Sequence, residues 1–530
     1  MIFSELSRYF KKLEDTASRN SMTEILADLF HASTPVDIGK ICYLLLGRVA
    51  PLYEPVEFGV GDKFMIRAIA KAYEMKEDHV KKEFKKAGDL GSAAEHCYHV
   101  LKHGTMKRLS IGSIFGRLEA LTQMTGEGSQ EKKIDALADL LASVDPLSAR
   151  YIARIPLDKL RLGFSDMTIL DSLSWMLSKD KSLRGTLEDA YNVRPDIGFI
   201  AETVKARGIA GLTHVHIKLG VPILPSLCQR IPTADEMVKK MGEVAVEPKW
   251  DGVRVQIHYI ASTRQRVNAS VIKTFSRNLE NTTEMFPELQ MIGDQLDARE
   301  IILDSEAVGM DPKTGNLIPF QETMTRKRKH DIEETRANVP LKFYVFDVLY
   351  KDGKELLNTP LSERRTILES VVKRSDSRNR GNFDSGNLRE GTLVLSPQIV
   401  TSSPDKIRQY HDAQLAKGLE GVVVKKWASP YEPGRRGFSW VKFKEEEGKT
   451  GKLTDTIDAV VMGYTAGQGK RIAFGIGQVL LGVRDGDQFV TITKLGTGTT
   501  EAELVSLFNT LKNLRVKNQP KEYKNVHKNF

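Results

Sequence analysis

A lysine is set into the segment Glu247-Pro248-Lys249-Trp250-Asp251-Gly252-Val253-Arg254. Just downstream, Val253, Val255, Ile257 and Tyr259 alternate with Arg254, Gln256 and His258. That period of two is the mark of a β-strand. Lys249 and Arg254 are thus expected at the head of a strand, beside a glycine where another backbone or a ligand can come close. A lysine held there, partly desolvated or set among other cations, has a depressed pKa and becomes an amine nucleophile. A K-x-D-G taken alone recurs by chance and more often marks a surface lysine.

Further patterns follow in order. Thr274-Phe275-Ser276-Arg277-Asn278 puts an arginine in a polar loop after a strand, and Ile302–Ala307 ends an apolar run in the acids Asp304 and Glu306. Phe343–Tyr350 supplies aromatics on a strand, and Glu420–Lys425 couples an acid to a strand ending in lysine. Between Arg436 and Lys444 cations alternate with apolar residues, so Lys442 and Lys444 share one strand face. Together these residues describe a nucleotide site. An amine attacking the α-phosphorus of a nucleoside triphosphate needs cations around the phosphates, here Arg254, Arg277, Arg436, Lys442 and Lys444. The pyrophosphate calls for a divalent ion on hard oxygen ligands, which Glu306 and Glu420 can supply to Mg²⁺. Phe346 offers the base a stacking surface. Singly, such an aromatic is more often core and such a glutamate a solvated charge; their joint order carries the reading.

The elements that must position these residues fall into three stretches of the 530-residue chain. Residues 1–218 read as helices: Ile134, Leu137, Leu140 and Leu141 form a helical stripe, Asp145-Pro146 an N-cap and first-turn proline, and Ser165 a further cap. Residues 219–446 mix strands and helices, with strand-like runs at Val244–Tyr259, Ile301–Val308, Phe343–Tyr350, Thr392–Leu395 and Gly421–Lys426. Residues 447–530 turn β-rich, with Thr456–Tyr464 and two runs flanking Asp485-Gly486, a hairpin signal. The fold class expected is multidomain α+β. A formal charge of +9 favours a polyanionic partner, nucleic acid first. Cys42, Cys97 and Cys228 lie too far apart in sequence to suggest a zinc site or disulfide framework. No stretch approaches about 20 apolar residues, so no membrane partner is expected.

The order of motifs resembles the covalent nucleotidyltransferases: ATP-dependent DNA ligases, RNA ligases and mRNA capping enzymes. It is most similar to ATP-dependent DNA ligases of the archaeal and eukaryotic replicative type, over nearly the whole chain. The resemblance implies an all-α DNA-binding domain (1–218), an α/β adenylylation domain (219–446) and a C-terminal OB-fold β-barrel (447–530), apparently incomplete. It makes Lys249 the adenylylated residue and Arg254 a phosphate or ribose contact. Glu247 would read the adenine amino group, Arg277 hold ribose and phosphates, and Phe346 stack on adenine. Glu306 and Glu420 would be metal-linked acids, Glu306 also facing the nucleotide, and Lys425, Lys442 and Lys444 would reach the α-phosphate, with Arg436 in the same nucleotide site. In the helical domain Gly126, Gly128, Ser129, Lys132 and Lys133 would grip DNA phosphates, where free amides at a helix start and two lysines suit an oxyanion.

The implied activity is nick sealing in duplex DNA by way of a lysyl-adenylate and a 5′-adenylylated strand, with ATP and Mg²⁺ as cofactors and Mn²⁺ as a substitute. An RNA-ligase or capping role, or a non-catalytic nick-binding protein, is the alternative; the long helical stretch before Lys249 argues against the first. The motifs leave the choice among ATP, ADP, GTP and NAD⁺ open. A sliding clamp is a candidate partner, and monomeric action is expected, in the cytoplasm at the nucleoid of a prokaryote or in the nucleus of a eukaryote. Two departures stand out. Val253 occupies a position that is often acidic, and nothing matches the basic motif that ends the family's barrel, so the third domain is expected to be truncated.

Overall fold

The computed structural model describes the chain except residues 100–105, 161, 262–269, 312, 315, 319–322, 324–338, 374–390, 436, 444–457, 468–470, 472–473 and 528–529. Arg436 and Lys444 therefore lie outside the described residues.

From Phe3–Glu14 to Ile197–Arg207 the chain is helical, closing with a 3₁₀ turn at Ile209–His214. One apolar cluster runs through this region, from Phe3 to Leu212. The helix Ser129–Ala142 buries Ile134, Leu137, Leu140 and Leu141, as its stripe requires. Asp145 caps Pro146–Arg154 by accepting from the Ser148 amide. Ser165 holds the N-cap position of Asp166–Ser178, yet its hydroxyl makes no capping bond. Arg154 ties this core together, reaching Glu14 at 2.9 Å and Asp89 at 2.8 Å. No helix among the described residues is long and apolar enough to cross a membrane.

The strands, in chain order, are β1 (Gln229–Arg230), β2 (Val244–Pro248), β3 (Val253–Ile260), β4 (Val271–Ser276) and β5 (Glu300–Gly309). Then come β6 (Leu341–Lys351), β7 (Lys354–Glu355), β8 (Leu393–Leu395), β9 (Ile399–Thr401), β10 (Val422–Lys426) and β11 (Trp440–Phe443). They build two sheets, one ordered β1-β11-β10-β2-β9 and the other β4-β3-β5-β6-β7 with β8 beside β6. The run Val244–Tyr259 is thus two strands in different sheets, where its apolar pattern suggested one. Pro248 ends β2 without an N–H to donate. At Gly252 a Cβ would fall 2.3 Å from the Ala307 carbonyl oxygen of β5, so only glycine lets the chain cross there. Lys249 lies in that crossing.

Four more strands, β12 (Val460–Tyr464), β13 (Val479–Asp485), β14 (Gln488–Leu495) and β15 (Tyr523–Lys524), form a third sheet in sequential order. The tight β13–β14 turn falls at this signal, on the two residues Gly486 and Asp487 that follow Asp485, with Gly486 at φ +60°. The helix Glu501–Leu511 packs on this sheet through Leu504, against Ile476 and Val479.

Candidate active site

The two central sheets meet over a cleft of about 610 Å³. Strand register decides what faces it. Across β3 and β5, Arg254 stands opposite Glu306 and Gln256 opposite Asp304. Across β2 and β10, Glu247 stands opposite Val423. Lys249, Glu247, Arg254, Arg277, Glu306, Phe346 and Lys425 all line the one cleft. Lys442 sits on β11 opposite Val423, which also lines it.

The Lys249 amide donates to the Gly421 carbonyl at 2.9 Å, which pins the crossing to the head of β10. Gly421 has φ +121°, and a Cβ there would strike the Phe443 carbonyl oxygen at 2.4 Å. Its neighbour Glu420 accepts a hydrogen bond from the Lys249 ammonium. Beside the lysine, the Trp250 ring stacks on Tyr344 at 3.7 Å, and its indole N–H donates to the Ser396 hydroxyl at 3.2 Å. Glu306 is half-buried, and its carboxyl makes no hydrogen bond to a described residue. Burial pushes that carboxyl up to about 8, against the pull of Arg254 and Lys249. Arg277 is exposed on the rim.

Deeper in the cleft the polar groups are committed to one another. The Lys425 ammonium donates to both Glu247 oxygens, at 2.8 and 2.9 Å. It also lies over the rings of Phe346 (4.5 Å) and Trp440 (4.2 Å). Burial raises the Glu247 carboxyl above the usual range in spite of Lys425. Arg254 forks onto Asp304 at 3.0 and 2.6 Å, donates to the Ser226 carbonyl at 2.7 Å and meets the Tyr431 hydroxyl at 3.2 Å. Tyr431 in turn donates to Asp304 at 2.8 Å. Arg254 and Lys425, expected at the phosphates, and Glu247, expected at the adenine, all line the cleft, and each is held there by a protein partner.

Sequence reasoning gave no role to Asp304, Tyr431 or Cys228. Asp304 was within reach, being two residues before Glu306 on one strand and so on the same face. Cys228 lines the cleft, its thiol raised by burial although Arg254, Lys425, Lys442 and Lys249 all pull it down. No local pattern marks it.

The phosphate-binding candidates of the helical region are a separate locus. Gly126 and Gly128 adopt φ +83° and +73°, with open space where side chains would be. Ser129 starts the helix, but its N–H is taken by the Gly126 carbonyl at 3.2 Å. Lys132 is exposed. Lys133 is turned inward, where its ammonium donates to the Phe58 carbonyl at 2.6 Å, so it is not the surface cation its position suggested.

Residues 225–444 match the family model described as the ATP dependent DNA ligase domain, and residues 2–174 match the DNA ligase N terminus. The chain is 39% identical over 525 residues to a probable DNA ligase of Dictyoglomus thermophilum, covering 98% of this chain and 85% of that protein. The chain belongs to the ATP-dependent DNA ligases. The ligase is also 36% identical over 524 residues to DNA ligase 2 of Korarchaeum cryptofilum, covering 97% and 84% of the two chains. A solved structure named Pmar-Lig_PreS3 superposes with a TM-score of 0.53 at 16% identity, over 96% of this ligase and 91% of that chain, which shows a shared fold.

Proposed function

We propose that this ATP-dependent DNA ligase seals nicks in duplex DNA with Lys249 as the adenylylated residue. The carrying observation is the crossing between two sheets, which holds Lys249 in the cleft against Glu420, with Glu306 and Arg277 in the same cleft. The lysine nitrogen attacks the α-phosphorus of ATP, a P–N bond forms, and pyrophosphate leaves. AMP then passes to the 5′-phosphate at the nick. The 3′-hydroxyl attacks that activated phosphate, a phosphodiester forms, and AMP departs.

The protein's part is mostly positioning and charge matching. Phe346 and Trp440 wall the base end, where Glu247 is held by Lys425. Among the described residues, Arg277 and Lys442 are the cations left for phosphate, and Arg254 shapes the wall that carries Glu306. Glu306 and Glu420 fit a magnesium ion: both are hard oxygen donors, and Glu306 is a desolvated carboxyl without a hydrogen bond to a described residue. Bound there, Mg²⁺ (or Mn²⁺) would neutralise charge on the triphosphate, an ion that ordinarily relies on few carboxylates plus substrate oxygens. The Gly126–Ser129 turn with Lys132 would hold duplex phosphates. The third sheet would belong to an oligonucleotide-binding barrel closing over the nick, and the enzyme would act as a monomer.

Incubation with α-labelled ATP and Mg²⁺ tests this reading. Acid-labile label is expected on the wild type and none on Lys249→Ala. Label retained by the variant would sink the assignment.

A further inference from the structure

The segment that joins the helical region to β1 is bound along its length. Every N–H from Gly220 to Leu227, the two prolines excepted, has an acceptor. Val221 donates to Lys218 at 3.0 Å, Leu224 to Asn192 at 2.9 Å and Leu227 to Arg435 at 3.2 Å, all through backbone carbonyls. The others go to side chains of the nucleotide-binding part: Gly220 to His258 Nδ1 (3.0 Å), Ile223 to Gln256 Oε1 (2.8 Å) and Ser226 to the Tyr431 hydroxyl (3.0 Å). Ile217 continues the same three-residue spacing, donating to Glu355 at 2.7 Å. Two carbonyls are held as well, Ile223 by Gln256 Nε2 at 3.0 Å and Ser226 by Arg254.

This strap runs antiparallel to β3, gripped by Arg254, Gln256 and His258, the polar face of that strand. The donor pattern closes without conflict. His258 accepts from Gly220 at Nδ1, so its Nε2–H faces Gln256 Oε1 at 2.9 Å, and the Gln256 amide nitrogen is left to donate to Ile223. Gln256 and His258 are buried. Burying such groups costs free energy unless they are paired. An apolar face would bury area but would not select one register; a fully satisfied polar ladder does.

The strap has a lever at each end. Upstream, Val221 packs with Tyr53 of the helical region and Phe275 of β4, and Phe275 precedes the cleft residues Ser276 and Arg277. Downstream, Cys228 lines the cleft. We propose that Gln256 and His258 are positioning residues for nick sealing. By fixing the strap in one register they fix the helical region against the cleft, and so govern the steps that need DNA rather than self-adenylylation. This rests on the reading that the helical region grips DNA.

The test compares the full-length wild type with Gln256→Met, which keeps the length of the side chain and loses its bonds to the strap. The KM for a nicked duplex should rise about tenfold, while self-adenylylation with ATP stays within about twofold. Amide exchange should quicken at Gly220 and Ile223 while the amides of β3 and β5 stay protected, which separates a loosened strap from an unfolded sheet. His258→Phe, run in parallel, keeps a ring but removes the acceptor for the Gly220 N–H at the other end of the ladder, so misfolding of one variant does not leave the question open. Equal losses in both steps, no loss in either, or unchanged strap amides would each overturn the proposal. A wild type that takes no label from ATP would instead fault the ligase reading on which it rests.

Discussion

Two Lys–Glu pairs bridge the ends of β2 and β10, and they are held in opposite ways. Lys425 and Glu247 are 2% and 3% exposed, with both carboxylate oxygens in use. Lys249 and Glu420 are 23% and 36% exposed and share a single contact. The first pair sits on the cleft floor with Arg254, Asp304 and Tyr431, where nearly every donor has a protein acceptor. The second sits at the mouth with Glu306, whose carboxyl makes no hydrogen bond to a described residue, and with the exposed Arg277. A group that must change partners during a reaction cannot be fully satisfied beforehand, whereas a group that shapes the cavity must be. Exposure therefore separates the two pairs where residue type does not.

The sharpest way to break this contrast is at the mouth. Lys249→Ala should abolish both label transfer and sealing while nicked-DNA binding, read by gel shift, stays unchanged. Glu420→Gln should cut the adenylylation rate by about 10²-fold yet move stability by under about 1 kcal/mol, because an exposed pair contributes little. On the floor the pattern should invert. Lys425→Met leaves a buried carboxylate unpaired and should cost about 3–5 kcal/mol in a denaturant titration. If Glu420→Gln destabilised the protein more than Lys425→Met, the division into mouth and floor would fail.

A pH-dependent effect concerns His258, on the buried face of β3. Burial, with Lys273 adding to it, lowers its pKa from the ordinary 6.5 to about 3. The unfolded chain takes up a proton below about 6.5 that the folded chain refuses until about 3. Stability from this group is thus complete above that window and lost as pH falls through it, by at most about 1.4 kcal/mol per pH unit. His258→Gln should flatten that part of the stability–pH curve, as measured by urea midpoints from pH 7 to pH 4.

Much of the cleft could be read from sequence because its residues sit on strands whose alternation is local. The faces of β3, the turn after Asp485 and the stripe of Ser129–Ala142 follow from neighbours a few residues apart. Partner choice does not. Lys249 meets Glu420 across 171 positions and Lys425 meets Glu247 across 178, distances over which periodicity says nothing. The same limit explains Lys133, whose carbonyl acceptor comes from a loop 75 residues away. It also explains the break at Lys249: continuous alternation hides a change of sheet that only the close approach of Ala307 to Gly252 imposes.

The ring stack beside Lys249 has an optical consequence. The chain has four tryptophans, and two of them, Trp250 and Trp440, line the cleft. Trp250 is covalently next to Lys249 and stacked on Tyr344, so attaching a nucleotide to that lysine alters the surroundings of an intrinsic fluorophore. Tryptophan emission should then change in step with the lysyl-adenylate step proposed above. The ligase thus carries its own stopped-flow signal, with no dye and no labelled substrate.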